Sequence, residues 1–236
     1  MLEVRNLAFS YRSNPVLRDV SFVASPGEVV TVVGGNGAGK TTLLRILATL
    51  AVPESGLILS DGINAFDRPL RYRRQLGFLP EDPQPYDDMT VKEYLAYRAV
   101  MKGEPSKRIR RRVTEAAEMC RLTNVLRSSI RRLSQGMRKR VALADAILLR
   151  PRVLLLDDFL AGLDTAMRDE ADMVLSEAAA FSSVIVTGHE LSDFVRWTTR
   201  FLVLRNGVIS ASVPAVGAEP AELEARVRAE LAGGER

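Results

Sequence analysis

Three apolar runs stand out along the chain: Val29-Val30-Thr31-Val32-Val33, Arg152-Val153-Leu154-Leu155-Leu156 and Ser183-Val184-Ile185-Val186-Thr187. Each is short and nearly free of polar breaks, the pattern of strands buried on both faces of a parallel sheet. Shorter strand-like runs at 2–4 and 20–23 are punctuated by turns at Ser13-Asn14-Pro15 and Ser25-Pro26-Gly27. Leu57-Ile58-Leu59 follows a Pro53-Glu54-Ser55-Gly56 turn and leads into a hairpin signal at Asp61-Gly62. Leu76-Gly77-Phe78-Leu79 is a strand broken by Pro80, and Asn206-Gly207 joins Phe201-Leu202-Val203-Leu204 to Val208-Ile209 as a hairpin. From Thr90 to Leu149 the spacing becomes helical. Val91, Leu95 and Val100 are expected on one buried face, and Val113, Ala116, Ala117 and Cys120 on another. Ser134 suits the N-cap of a helix carrying Val141, Leu143, Ala144, Ile147 and Leu148. After Pro220, Leu223, Val227 and Leu231 recur on a charged helix, either a docking tail or a loosely held amphipathic end. The pattern predicts an α/β core with a helical block inserted between its strands.

The first apolar run leads into Gly34-Gly35-Asn36-Gly37-Ala38-Gly39-Lys40-Thr41-Thr42, and Leu43, Leu44, Ile46 and Leu47 follow at helical spacing. The loop fits G-x-x-x-x-G-K-[ST], and strand, glycine loop, helix is the order a phosphate cradle needs. Glycines let backbone N–H groups converge on phosphate oxygens, and the helix N-terminus adds a favourable dipole. Lys40 is expected on the β- and γ-phosphates and the Thr41 hydroxyl on Mg²⁺. A nucleoside triphosphate is the implied ligand. The second apolar run ends in Asp157-Asp158, at the sheet edge where ligands sit in open α/β folds. Asp157 can hold the Mg²⁺ water shell there. Tyr11, just before a turn and upstream of the loop, offers a flat face for a base.

Composition narrows this further. At 236 residues and 47% hydrophobic content the chain reads as a soluble globular protein. No stretch approaches a membrane span, no secretory signal opens the chain, and a single cysteine, Cys120, excludes an internal disulfide. A reducing cytoplasm is expected. The net charge of +4 gathers in basic clusters at 107–112 and 131–140. Apolar residues interleave at helical spacing there, so the clusters read as solvated helix faces and no nucleic-acid partner is expected.

Together these residues resemble the nucleotide-binding subunit of an ABC transporter, over roughly residues 2–209. Leu133-Ser134-Gln135-Gly136-Met137 resembles the family signature L-S-G-G-Q, with Ser134 and Gly136 kept. Ala161-Gly162-Leu163-Asp164 resembles the D-loop, Tyr11 the adenine-stacking aromatic, and His189 the switch histidine. The resemblance implies a P-loop NTPase (RecA-like) core with an antiparallel β subdomain and an inserted α-helical subdomain. It sets one ATPase domain with its core at 1–80 and 151–215, helices at about 81–150 and a tail at 216–236. It further implies ATP and Mg²⁺ as ligands and a head-to-tail dimer sandwiching two ATPs, with Ser134, Gly136 and Asp164 at the nucleotide. A transmembrane permease subunit would hold the chain at the inner face of the cell membrane. Glu81 stands where the family has glutamine and is expected to face Mg²⁺. Pro80-Glu81 and the Ser-Gln-Gly-Met signature resemble the branch that exports drugs, peptides or polymers. Asp158 replaces the catalytic glutamate and Phe159 the proline after it, so slow hydrolysis is expected, with Asp158, His189 and Glu81 as the catalytic residues. Asp145 occupies the place of a usual arginine, and the sequence alone gives no reason for it. A soluble non-transport cassette protein is the other reading. A P-loop kinase or GTPase fits less well, since Ser134-Gln135-Gly136 and His189 have no role there and no N-K-x-D motif is present.

Overall fold

The computed structural model describes residues 1–160, 165–188 and 190–233. Among the described residues ten strands form two sheets. β1 (Leu2–Tyr11), β2 (Asn14–Ala24), β4 (Ser55–Ser60) and β5 (Ile63–Asn64) make an antiparallel sheet in the order β2-β1-β4-β5. β3 (Val29–Val33), β6 (Leu76–Leu79), β7 (Val153–Leu156), β8 (Ser183–Thr187), β9 (Arg200–Arg205) and β10 (Val208–Pro214) make the second, in the order β10-β9-β3-β8-β7-β6. Only β10 runs antiparallel in that sheet. The mixed α/β architecture is the one the apolar runs predict.

Every residue of β3, β7 and β8 is buried because both sheet faces are covered. Alternate residues enter two separate cores. Val29, Val33, Leu154, Leu156, Val184, Val186, Phe201 and Val203 join the core shared with the helical block. Val30, Val32, Val153, Leu155, Ile185, Leu202 and Leu204 join the core under the antiparallel sheet and α1 (Lys40–Leu47).

Between β5 and β6 lies α2 (Pro69–Arg73), which the sequence pattern does not reveal because five residues hold too little periodicity. The block between β6 and β7 holds α3 (Val91–Met101), α4 (Ser106–Met119) and α5 (Gln135–Ile147). α3 starts at a capping box. The Glu93 amide donates to Thr90 Oγ1 at 3.2 Å and the Thr90 amide to Glu93 Oε2 at 2.8 Å. α3 buries Val91, Tyr94, Leu95 and Ala99, whereas Val100 is 57% exposed. That corrects the expected face: nine residues from Val91 rotate by roughly 900°, to the opposite side of the helix. On α4, Val113, Ala116 and Ala117 are buried, with Cys120 just beyond its end. The first turn also differs. It is Arg12-Ser13, with Asn14 and Pro15 already in β2 opposite Tyr11 and Ser10.

Asp145 on α5 is buried and gathers charges from α3. Arg98 Nε donates to its carboxylate at 2.9 Å, Lys102 Nζ lies 2.7 Å away, and the Tyr94 hydroxyl donates at 3.5 Å. An acid at this point of α5 is explained by two cations on the facing helix.

α6 (Thr165–Ala179) precedes β8, and α7 (Pro220–Ala232) closes the described chain. Leu223 and Val227 of α7 are buried in the same core as Phe201 and Val203 of β9. Such burial is worth about 1.5–3 kcal/mol per side chain, so the tail is docked on its own core. No helix among the described residues is long and apolar enough to cross a membrane.

Candidate active site

β3 delivers the glycine loop to the carboxyl edge of the large sheet, and α1 begins at Lys40 with Gly39 as its N-cap. Two glycines are sterically required. A Cβ on Gly34 would stand 2.3 Å from the Leu204 carbonyl oxygen of β9. Gly39 has φ +103°, and a Cβ there would stand 2.9 Å from Leu17 Cδ2. The loop is therefore seated between β9 and β2, its backbone too close to β9 at Gly34 and to β2 at Gly39 for a side chain at either position. Asn36, Gly37, Ala38, Gly39, Lys40, Thr41 and Thr42 line a cavity of about 380 Å³ together with Tyr11 and Val16. Tyr11 comes from the end of β1 and is held by an edge contact with Phe9 at 4.8 Å, which leaves its ring at the cavity wall.

Lys40 is buried, and its ammonium donates to the Gly34 carbonyl at 2.7 Å and the Gly35 carbonyl at 3.2 Å. Burial lowers its pKa, while the charges of Asp158 and Asp157 act in the opposite sense. Thr41 Oγ1 donates to Asp157 Oδ1 at 3.2 Å across the sheet edge. Asp157 directly follows β7, two strands from β3, and is almost fully buried. Desolvation raises its pKa, and hydrogen bonds from Thr187 and Thr41 pull it back. A hydroxyl and a carboxylate at this separation are a hard-oxygen pair that suits Mg²⁺, which keeps most of its waters and takes few protein ligands.

The sequence reading overlooked Thr187. It ends β8, the strand between β3 and β7, and its Oγ1 donates to Asp157 Oδ1 at 2.6 Å while accepting the Asp158 amide at 3.1 Å. The signal was a hydroxyl closing an otherwise apolar strand at the edge where β7 also ends. Asp158 sits at φ +43°, in the left-handed region that aspartate tolerates better than most side chains. The following residue, Phe159, is buried, its ring 6.4 Å from Trp197, and Phe194 lies edge-on to Trp197 at 5.3 Å. The position after Asp158 is thus fixed by aromatic packing.

Three other expected site residues, Glu81, Ser134 and Gly136, make no described contact with the glycine loop. Glu81 is exposed, two residues past the end of β6, and makes no hydrogen bond or ion pair among the described residues. Ser134 is exposed at the N-cap of α5, accepting the Met137 amide at 3.3 Å, with Gly136 in the first turn. No described contact joins Ser134 or Gly136 to the glycine loop of the same chain. Asp164 and His189 lie outside the described residues.

The family description "ABC transporter" matches residues 17–161, more than half of the chain. The ABC transporter ATP-binding protein YxlF of Bacillus subtilis is 33% identical over 89% of this chain and 70% of its own length. The spermidine/putrescine import ATP-binding protein PotA of Haemophilus influenzae is 32% identical over 89% of this chain, which spans 57% of that relative. Among solved structures, an ATP-binding subunit of an ABC transporter is 31% identical with a TM-score of 0.85, covering 97% of this chain and 99% of that one. The cbiO1 protein of Clostridium perfringens, part of the transporter complex cbiONQ, is 27% identical with a TM-score of 0.83, over 96% and 91%. A glycine loop seated on β9, a buried lysine and a threonine–aspartate pair across the sheet edge are features such a subunit needs, and the chain belongs to the ABC transporter ATP-binding family.

Proposed function

We propose that the chain binds and hydrolyses ATP and thereby drives a separate transmembrane permease at the inner face of the cell membrane. The observation that carries this is the placement of Tyr11, the glycine loop, Lys40 and Thr41 around one cavity, with Asp157 bonded to Thr41. In this reading residues 34–42 cradle the phosphates through backbone N–H groups and Lys40 swings from the loop carbonyls to phosphate oxygens. Tyr11 stacks on the base. Thr41 and Asp157 would hold Mg²⁺, with Glu81 facing it. When bound, the ion neutralises charge on the transferring phosphoryl group. Asp158 is the general base for the attacking water, and Thr187 fixes its backbone. His189 is assigned to the γ-phosphate and Asp164 to the nucleotide on resemblance alone.

Ser134 and Gly136 lie at a helix N-terminus with no described contact to the loop of the same chain, an anion-binding arrangement open to a phosphate from elsewhere. A second subunit, identical or different and packed head-to-tail, supplies that phosphate. Closure of the pair then depends on the γ-phosphate, and hydrolysis reopens it. We read residues 1–80 and 151–215 as the core of one ATPase domain, 81–150 as its helical subdomain and 216–236 as its tail. Export is the finer reading from Pro80-Glu81 and the Ser-Gln-Gly-Met signature, and the import relative PotA does not support it. Uptake or efflux by vesicles carrying the chain with its permease decides direction.

Lys40→Ala removes a desolvated, charge-assisted contact worth about 1.5–3 kcal/mol. Titration calorimetry with Mg-ATP is expected to show roughly 10- to 150-fold weaker binding. Parent-like affinity in the variant overturns the assignment of the loop.

A further inference from the structure

Thr187 carries a hydroxyl where the pattern of β8 suits an alkyl group. Val184, Ile185 and Val186 before it are fully buried, and Thr187 is itself only 1% exposed. Valine has nearly the same shape and would pack there with no polar atom to satisfy. The strand register explains what the hydroxyl reaches. Thr187 pairs with Val32 on the β3 side, and Val186 pairs with Leu156 on the β7 side, so the chain of Asp157 and Asp158 continues alongside Thr187.

Chemistry fixes the direction of both bonds. The Asp158 amide can only donate, so Thr187 Oγ1 accepts it at 3.1 Å. The one hydroxyl hydrogen is left for Asp157 Oδ1 at 2.6 Å, the short separation typical of a carboxylate acceptor. A single oxygen atom thus stands between the carboxylate paired with Thr41 and the backbone that carries Asp158. A hydroxyl accepts and donates at one atom; valine does neither, and an amide side chain divides the two between separate atoms. Aromatic packing holds the same two segments together. A Cβ on Gly188 would collide with the Phe194 ring, Phe194 meets Trp197 edge-on at 5.3 Å, and Trp197 lies 6.4 Å from Phe159. The residues after Thr187 and after Asp158 therefore pack against one cluster. Asp158 at φ +43° depends on such support, since a left-handed side-chain-bearing residue persists only where its surroundings hold it. Another buried hydroxyl of the same sheet offers a contrast: Thr31 Oγ1 of β3 bonds Thr198 Oγ1 at 2.6 Å, a pair between two threonines.

We propose that Thr187 is a positioning residue for hydrolysis, its hydroxyl holding Asp157 and Asp158 in one fixed relation. This rests on the reading of the site as one that binds Mg-ATP and hydrolyses it with Asp158. Groups that orient a metal ligand in this way are typically worth about 10–100-fold in metal affinity or activity.

Two measurements test it: turnover by the full chain with its permease at saturating Mg²⁺, and calorimetry with the non-hydrolysable analogue AMP-PNP across a Mg²⁺ titration. Thr187→Val is expected to turn over about 10–100-fold more slowly at a near-parent KM for ATP, and to need about 10-fold more Mg²⁺ for half-maximal tightening of AMP-PNP. Its AMP-PNP affinity in EDTA matches the parent, which shows that the fold and glycine loop are intact. Thr187→Ser keeps the hydroxyl and restores both values. In the Asp158→Asn background Thr187→Val adds no further slowing at saturating Mg²⁺, because it acts through Asp158. Thr31→Val leaves both readouts at the parent level. Parent-like turnover or an unchanged Mg²⁺ midpoint in Thr187→Val overturns the proposal. So does a defect that serine fails to restore, that multiplies fully with Asp158→Asn, or that Thr31→Val reproduces. A parent chain that does not bind AMP-PNP, or an Asp158→Asn variant as fast as the parent, overturns the underlying reading of the site and the proposal with it.

Discussion

Asp145→Asn is expected to lower stability by about 2–4 kcal/mol. The carboxylate faces two cations, and its loss leaves both without a counter-charge inside the α3–α5 contact. The two do not suffer equally. Arg98 is a third exposed and can turn toward water, so its share is small. Lys102 is held deeper, and it also donates to the Asp145 main-chain carbonyl, which keeps its ammonium in place after the substitution. At roughly 2–4 °C per kcal/mol for a protein of this size, the melting temperature falls by about 4–16 °C. Adding Lys102→Met removes the stranded charge and is expected to recover at least half of the loss, because an apolar side chain fills the site without a desolvation cost. The pH dependence gives a second check. Burial holds the Lys102 pKa below its ordinary value of 10.5, with Asp145 opposing. Between the folded and ordinary values the folded state binds fewer protons than the unfolded state, so stability rises with pH in that window. Without Asp145 the folded value drops further and the window widens downward. The deficit of Asp145→Asn therefore shrinks as pH rises toward 10.5. A melting temperature within 1–2 °C of the parent would show that the network contributes little, since that corresponds to under about 1 kcal/mol.

Asp158→Asn is expected to slow steady-state ATP hydrolysis by about 10²–10⁴, the usual worth of a positioned general base. Asparagine is well suited to isolate the carboxylate. It tolerates the left-handed backbone at φ +43° as aspartate does, and the amide bond to Thr187 Oγ1 does not involve the side chain. Nucleotide affinity stays near the parent value, and the variant accumulates as an ATP-bound dimer. Asp158→Glu restores the longer carboxylate but is less at ease at this backbone angle, beside a residue fixed by Trp197. If the aspartate is one methylene short of the water, the glutamate variant is faster than the parent. If Phe159 packing has set the site around aspartate, it is slower. Rates of the three proteins with the permease present separate these cases, and an asparagine variant as fast as the parent removes Asp158 from the mechanism.

The apolar runs at β3, β7 and β8 and the glycine loop were legible because both are local: a strand buried on two faces needs only consecutive side chains, and the loop needs only its own spacing. What was missed depends on contacts between distant segments. Thr187 gains its place from β8 lying between β3 and β7. Asp145 made no sense until Arg98 and Lys102 arrived from another helix. Val100 was assigned to the wrong face because three apolar residues at spacings of four and five look periodic until the neighbours fix which side is covered. Helix α2 is too short to announce itself, and the tail could be assigned as docked only once Leu223 and Val227 had a partner surface.

The alternation of the large sheet between two cores also decides how sequence changes combine. Val32 belongs with Leu44 and Ile46, whereas its neighbour Val33 belongs with Leu154 and Leu156. Neighbours along a strand of this sheet thus enter different cores, while residues far apart in the chain share one. Free-energy effects of substitutions add when partners are not shared and interact when they are. In the strands of the large sheet, substitutions are accordingly expected to combine by parity: additively at Val32 and Val33, and with coupling at Val32 and Leu44.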